Sequence, residues 1–236
     1  MNKFITVVLA IIVATTALHA QVYSGQQGYD GEHKNQVSGY FEGGYNIVTG
    51  RYVGPAVSYT HHFTPRWSAE GAIALPMGKS KLGLYGKGTY HLPLPHFSLF
   101  FSGKFMYNRY NDYNTNEYNA NVSCMLESSY FDMLIGESWI RYALKGTGYT
   151  EPLTLTFGMG ANIRKRTNPW NLGIFIRNYD DFYYENWNIN WGLRWHATLD
   201  EQIKIFGELN VRPAGSTSQL ATRYETSLKL GLKYVW

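Results

Sequence analysis

The chain has a single cysteine, Cys124, so no disulfide framework within it can hold the fold together. A lone thiol in an alternating apolar stretch reads as a small packed side chain. Charged residues make up only 16% of the sequence and the net charge is +4, spread along the chain, which argues against a nucleic-acid partner. After residue 20 no apolar run approaches the roughly 18 to 20 residues that a spanning helix needs. No cysteine follows the N-terminal apolar run, so a lipoprotein anchor is not expected either.

What the chain does have is aromatic residues, at 17% with 20 Tyr and 7 Trp, and 24 Gly. That balance suits strands better than surface helices. Lys3 is the only charge in the first twenty residues, and the apolar run Phe4 to Ala14 leads to Leu18-His19-Ala20. Basic start, apolar middle and small residue before the cut predict a secretory signal peptide over residues 1–20, with cleavage after Ala20 or after Ala17. Residues 21–35 are Gly- and Gln-rich without periodicity and read as a flexible tail or a plug.

From Gln36 to Trp236 the sequence alternates with period two, broken by turn residues at hairpin intervals. Val37, Phe41 and Tyr45 share one face and Ser38, Glu42 and Asn46 the other. The pattern recurs about twelve times, ending with Leu228, Leu230, Leu232 and Tyr234 against Glu225, Ser227, Lys229 and Lys233. Segments of about 9 to 13 residues exceed the usual soluble strand of about 5 or 6 and match a tilted membrane-crossing strand. The expected fold is therefore all-β: a transmembrane, antiparallel, up-and-down β-barrel of about twelve strands over residues 36–236, in contact with outer-membrane lipids. An even count puts both termini on the periplasmic side.

Short turns then fall near Thr64-Pro65, Pro93 to Pro95, Phe131-Asp132, Lys165 to Asn168 and Leu199-Asp200, on the periplasmic side. Longer external loops fall near Thr49-Gly50, Gly78-Lys79, Tyr110 to Asn116, Lys145 to Glu151, Asp180 to Tyr184 and Ala214 to Gln219. Outward aromatics gather at both ends, with Tyr59, Trp67, Tyr90, Phe97, Trp170, Trp195 and Tyr234 on the inner side. Tyr45, Tyr107, Tyr118, Trp187 and Tyr224 lie on the outer side, and the two sets form girdles. The segment Met133 to Leu144 carries large residues on both faces. Charge decides it, because a basic residue at the bilayer midplane costs about 2 to 4 kcal/mol. Glu137, Trp139 and Arg141 are therefore expected inward, with Leu134, Gly136, Ser138, Ile140 and Tyr142 outward.

The final stretch, Tyr224 to Trp236, resembles the C-terminal strand of Gram-negative outer-membrane barrel proteins, which ends on an aromatic residue, usually Phe. The resemblance implies outer-membrane location and recognition by the barrel-assembly machinery, with Tyr234 and Trp236 as the assembly signal.

Residues that could carry chemistry are sparse. His61 and His62 are adjacent in a strand and point to opposite faces, so they do not suit one metal ion. His91 and His196 fall on strands far apart in order, and neither a metal nor a cofactor is expected. Lipid-modifying barrel enzymes need Ser and His together on the outer face near the external side, and no histidine falls there. Asp112 and the pair Asp180-Asp181 read as solvated loop tips, and the glycines Gly83 to Gly88 and Gly158 to Gly160 as close-packing positions inside strands. The expectation is that the chain is not an enzyme.

The inner wall is the most informative feature. Glu42, Glu70, Glu127, Glu137, Glu208 and Glu225 stand against Lys87, Lys104, Arg141, Arg177, Arg194, Lys204, Arg223 and Lys229. Near-balanced charge suits either a salt-bridged plug or a narrow hydrated channel. The leading expectation is a porin-like channel for small polar solutes, and the alternative is a structural or adhesive barrel whose loops bind a partner. Arg177, Arg194 and Lys204, on consecutive strands, form a local basic side leaning toward anions. Like-charge repulsion predicts that the last hairpin sets Glu208 opposite Arg223 or Lys229, not opposite Glu225.

Overall fold

A computed structural model describes residues 34–46, 50–75, 81–110, 115–144, 147–184, 189–212 and 225–236. The expected signal peptide, most of the segment 21–35, Arg223, Asp112, Trp187, Tyr224 and the loops near 78 and 216 lie outside these residues.

The chain runs through β1 (Asn35–Asn46), β2 (Gly50–Thr64), β3 (Trp67–Ala74), β4 (Lys81–Pro93), β5 (Phe97–Tyr110) and β6 (Thr115–Ser128). It continues through β7 (Phe131–Leu144), β8 (Thr147–Asn162), β9 (Trp170–Arg177), β10 (Tyr179–Asp180), β11 (Tyr183–Tyr184), β12 (Asn190–Thr198), β13 (Ile203–Arg212) and β14 (Glu225–Val235). Twelve of these form a closed antiparallel barrel, while β10 and β11 form a separate two-stranded sheet. Closure is sealed at the periplasmic end of the β1–β14 seam. There the Asn35 amide donates to the Trp236 carbonyl at 2.9 Å and the Trp236 amide donates back at 3.0 Å.

Alternation sorts the side chains as a membrane wall requires. Phe41, Val57, Phe105, Val122, Ile174, Leu209 and Leu230 are exposed on the outside, where lipid is the natural solvent for them. Near the periplasmic ends the rings pair, Trp67 with Tyr90 at 4.8 Å, Tyr59 with Trp236 at 6.3 Å and Tyr234 with Trp236 at 5.5 Å. Tyr107 and Tyr118 do the same at 5.4 Å toward the external side. The last hairpin has the register expected from charge, with Glu208 opposite Lys229 and Arg212 opposite Glu225.

Strand β7 departs from the reading by charge. Leu134, Ser138, Ile140 and Tyr142 are buried inside the barrel, whereas Trp139 is 38% exposed and Arg141 is exposed on the outer face. Glu137 faces the same way, opposite the 61% exposed Val122. Three causes combine. Arg141 stands three residues from the external end of β7, where the penalty for a basic residue falls to about 0–1 kcal/mol. Leu134, Ile140 and Tyr142 find apolar partners inside, in a cluster with Tyr179 and Phe182. Asp132, read as a turn residue, is fully buried in the lumen, and its parity fixes that of the strand; the turn itself is Ser129-Tyr130.

Two external loops are also shorter than expected. Tyr110 pairs with Thr115 and Leu144 with Thr147, so β6 and β8 begin inside the stretches read as loops.

The plugged lumen as candidate functional site

Strand β9 is only eight residues long and leaves the wall early. Directly beyond Arg177, Asn178 meets the edge of β8. Asn178 donates through Nδ2 to the Leu155 carbonyl at 2.7 Å and accepts the Phe157 amide at 2.8 Å. The Asn178 amide also bonds the Phe157 carbonyl at 3.1 Å. An amide side chain thus imitates one more strand residue while the backbone turns inward. The segment 178–184 that follows lies in the connection at the external end of the barrel, yet it folds into the lumen.

The segment reaches across to the opposite wall. Asp180 pairs with Lys229 of β14, and Asp181 Oδ2 is 3.3 Å from the same ammonium. The Tyr40 hydroxyl of β1 donates to Asp181 at 2.7 Å. Lys104 of β5 donates to the Asp181 carbonyl, and Asn108 donates to the Phe182 carbonyl at 2.6 Å. The Phe182 ring lies 5.1 Å from Tyr85 of β4, over Gly83, where an added Cβ would stand 2.6 Å from it. Asp180 and Asp181 are therefore buried plug residues, not the solvated loop tips expected from their polarity. Burial by itself would raise the Asp180 carboxyl, but Lys229 and Arg177 outweigh it and hold the group below its ordinary range.

The wall charges behind the plug are paired. Arg177 makes two hydrogen bonds to Glu208, one of them at 3.2 Å, and Glu208 lies 4.0 Å from Lys229. Glu42 is 3.8 Å from Lys229 on its other side. Glu70 accepts from the Tyr85 hydroxyl and lies 3.9 Å from Lys87. Higher up, Glu225 takes Arg212 at 3.0 Å and the Tyr52 hydroxyl.

A second cluster occupies the periplasmic half. Arg194 forks onto Asp132 through bonds of 3.2 and 2.5 Å. Arg166, from the β8–β9 turn, joins the same carboxylate and stands 3.5 Å from Glu127. Gly160 and Gly173 make this reach sterically feasible, since a Cβ on Gly160 would stand 2.5 Å from the Arg194 guanidinium and one on Gly173 2.8 Å from its Nε. The glycines of β8 are thus close-packing positions, and Gly158 serves Tyr179 in the same way at 3.0 Å.

Of the expected inner charges, Glu42, Glu70, Lys87, Lys104, Glu127, Arg177, Arg194, Lys204, Glu208, Glu225 and Lys229 lie on the lumen parity of their strands. Glu137 and Arg141 do not. The local basic side expected of Arg177, Arg194 and Lys204 is not a free one, because Glu208 and Asp132 hold the two arginines. Alternation alone missed Asp132, Arg166, Asp180 and Asp181. The signal for the last two was available in the tract Tyr179 to Tyr184, which puts two acids among aromatics where a hydrated loop would have small polar residues.

The histidines do not converge. His61 bonds Asn35 at 2.8 Å, His91 stacks on Phe100 at 4.5 Å and His196 meets the Asn168 carbonyl at 3.3 Å. Among the described residues no group of three or more metal-ligating side chains comes together.

No family model matches this chain, and no curated protein matches it in sequence. Solved structures do resemble it. The KdgM porin, solved in complex with disordered oligogalacturonate, has a TM-score of 0.58 at 9% identity, over 85% of this chain and 99% of that one. Omp33, an outer membrane protein of Acinetobacter baumannii, has 0.53 at 14%, over 89% and 100%. The translocator domain of the autotransporter NalP from Neisseria meningitidis has 0.52 at 12%, over 92% and 93%. A porin and a translocator on one scaffold mean that the likeness speaks for fold alone. With the closed wall and its lipid-facing belt, it gives this chain the fold of a twelve-stranded outer-membrane β-barrel of porin-like form.

Proposed function

We propose that the barrel is a narrow channel for small polar solutes, constricted at mid-height by the inward-folded segment 178–184. One observation carries this reading. The strands β10 and β11 form a two-stranded sheet separate from the twelve-stranded wall, and among the described contacts of residues 179–184 with the far wall each wall partner is a side chain, so this part of the plug can leave without breaking the barrel's ladder. The inner wall keeps acidic and basic groups in near balance, which favours weak selectivity between cations and anions. A non-catalytic role fits the placement of the described histidines, His61, His62, His91, His96 and His196, all toward the periplasmic end. Outer-membrane lipids and the barrel-assembly machinery are the partners this reading requires.

Reconstitution in planar bilayers tests it. The intact protein should pass a small current, and a variant lacking residues 179–184 a current several-fold larger. A deletion variant that folds, as judged by its heat-modifiable migration, but conducts nothing would overturn the channel reading.

A further inference from the structure

The plug is an acidic peptide seated in a basic pocket. Two carboxylates converge on one ammonium, with Asp180 Oδ1 in contact with Lys229 Nζ and Asp181 Oδ2 3.3 Å from it. Tyr40 adds a hydroxyl donor to Asp181 at 2.7 Å, and Lys104 approaches the same residue from the far wall through its carbonyl. These donors belong to β14, β1 and β5, strands fixed in the closed ladder, so they stay in place when the segment moves. Other described lumen charges have their shortest ionic partner on the wall, as Arg177 has Glu208 and Lys87 has Glu70. Lys229 is different, because its shortest partners are both on the plug, while its wall partners Glu42 and Glu208 stand at 3.8 and 4.0 Å.

We infer that the pocket formed by Lys229, Tyr40 and Lys104 is an anion-binding site for compact di- or tricarboxylates, and that Asp180 and Asp181 occupy it as an internal competitor. The inference rests on the channel reading and names the solute class that the constriction admits. Its stereochemistry is specific: the ligand presents two carboxylates close enough to share one ammonium, as adjacent aspartates do here. A solute that takes the pocket displaces the plug, so the same event recognises the ligand and widens the path. The differential affinity that such a shift requires is supplied by the site itself, which binds either the plug or the solute and not both. Neutral solutes of the same size have no carboxylate to offer and leave the segment docked.

The test uses the intact barrel in planar bilayers at matched ionic strength, with malonate or propane-1,2,3-tricarboxylate on the external side and malonamide as the neutral control. Either acid should raise the open fraction several-fold, and malonamide should not. In the Asp180→Asn/Asp181→Asn variant the current should be high from the start, and malonate should lower it by entering the vacated pocket. A second readout needs no current. Ala56→Cys, in a Cys124→Ser background, replaces a small buried wall residue of the cluster that Phe182 joins, and it should be slow to react with a membrane-impermeant maleimide and several-fold faster in malonate. Malonate that changes neither current nor labelling overturns the inference, as does a malonate-driven rise in current that is equally strong in the doubly substituted variant. Failure of the channel reading is separate. It appears as a folded, plug-deleted barrel that carries no current, whereas a conducting deletion variant with a malonate-insensitive parent sinks the anion site alone.

Discussion

The lumen holds two ionic clusters of similar composition joined to the barrel in different ways. In the periplasmic cluster Asp132, Arg194, Arg166 and Glu127 come from β7, β12, the β8–β9 turn and β6. Every partner is part of the wall or of a tight turn between wall strands. In the mid-height cluster Lys229, Arg177 and Glu208 are wall residues, but Asp180 and Asp181 belong to a segment whose two short strands form a separate sheet inside the closed ladder. Buried pairs of this kind offset their desolvation rather than adding much net stability, and removing one partner is what costs. The same chemistry therefore clamps the wall in one place and latches a removable element in the other.

Breaking the clamp should give the largest effect on the fold. Asp132→Asn leaves Arg194 and Arg166 facing an amide in a buried setting, a loss of about 3–5 kcal/mol. The temperature at which the folded band converts on gel electrophoresis should fall, while the unitary current of the surviving barrel stays as it was. A rise in current without loss of heat stability would erase the distinction between clamp and latch.

The latch should respond in the opposite sense. Phe182→Ala removes the ring packed on Tyr85, and truncation of a buried Phe costs about 3 kcal/mol. Here that loss falls on docking and not on the wall. The open fraction in bilayers should rise by more than tenfold, with the gel conversion temperature nearly unchanged. A drop in that temperature comparable with that of Asp132→Asn would mean that the segment is an integral part of the barrel.

A glycine pair sharpens the clamp side. A Cβ at Gly160 would meet the Arg194 guanidinium at 2.5 Å, while one at Gly86 meets nothing within 4 Å. Gly160→Ala should cost about 1–3 kcal/mol by pushing Arg194 off Asp132, and Gly86→Ala should be close to neutral. Urea unfolding of the two variants in vesicles measures the gap, and equal midpoints would show that Arg194 has room to spare.

Legibility followed the same division. The strand count, the lipid-facing parity of β1, β2 and β14 and the Glu208–Lys229 register could be read because each rests on period two and on neighbouring strands. The plug could not be read that way. Its contacts join residues such as Asp181 and Tyr40, 141 positions apart, and nothing local tells an acidic external loop in water from one folded inward. The error at β7 has the same source. Its large residues on the second face looked like lipid contacts, because the apolar core around Tyr179 and Phe182 that receives them belongs to the plug. A rule that polar faces look inward holds for a hydrated lumen and fails where the lumen is filled by the protein's own aromatic side chains.

The smallest effect tests that correction directly. The clamp holds Asp132 inward, and with period two this sets Glu137 outward near the middle of the fourteen-residue strand β7, between Val122 and Leu155. A carboxylate facing lipid near mid-depth costs less than the 2–4 kcal/mol of a basic residue there, so its replacement by leucine should return about 1 kcal/mol. Glu137→Leu is therefore expected to stabilise the barrel modestly against urea in vesicles and to leave conductance alone. Had Glu137 lined the lumen, as charge first suggested, the same substitution would remove an acidic group from the inner wall and leave a cation without its counter-charge, which destabilises and shifts ion selectivity. A lower midpoint with altered selectivity would return Glu137 to the inside. It would also release Asp132 from the clamp, since the two residues cannot share a face with opposite parity.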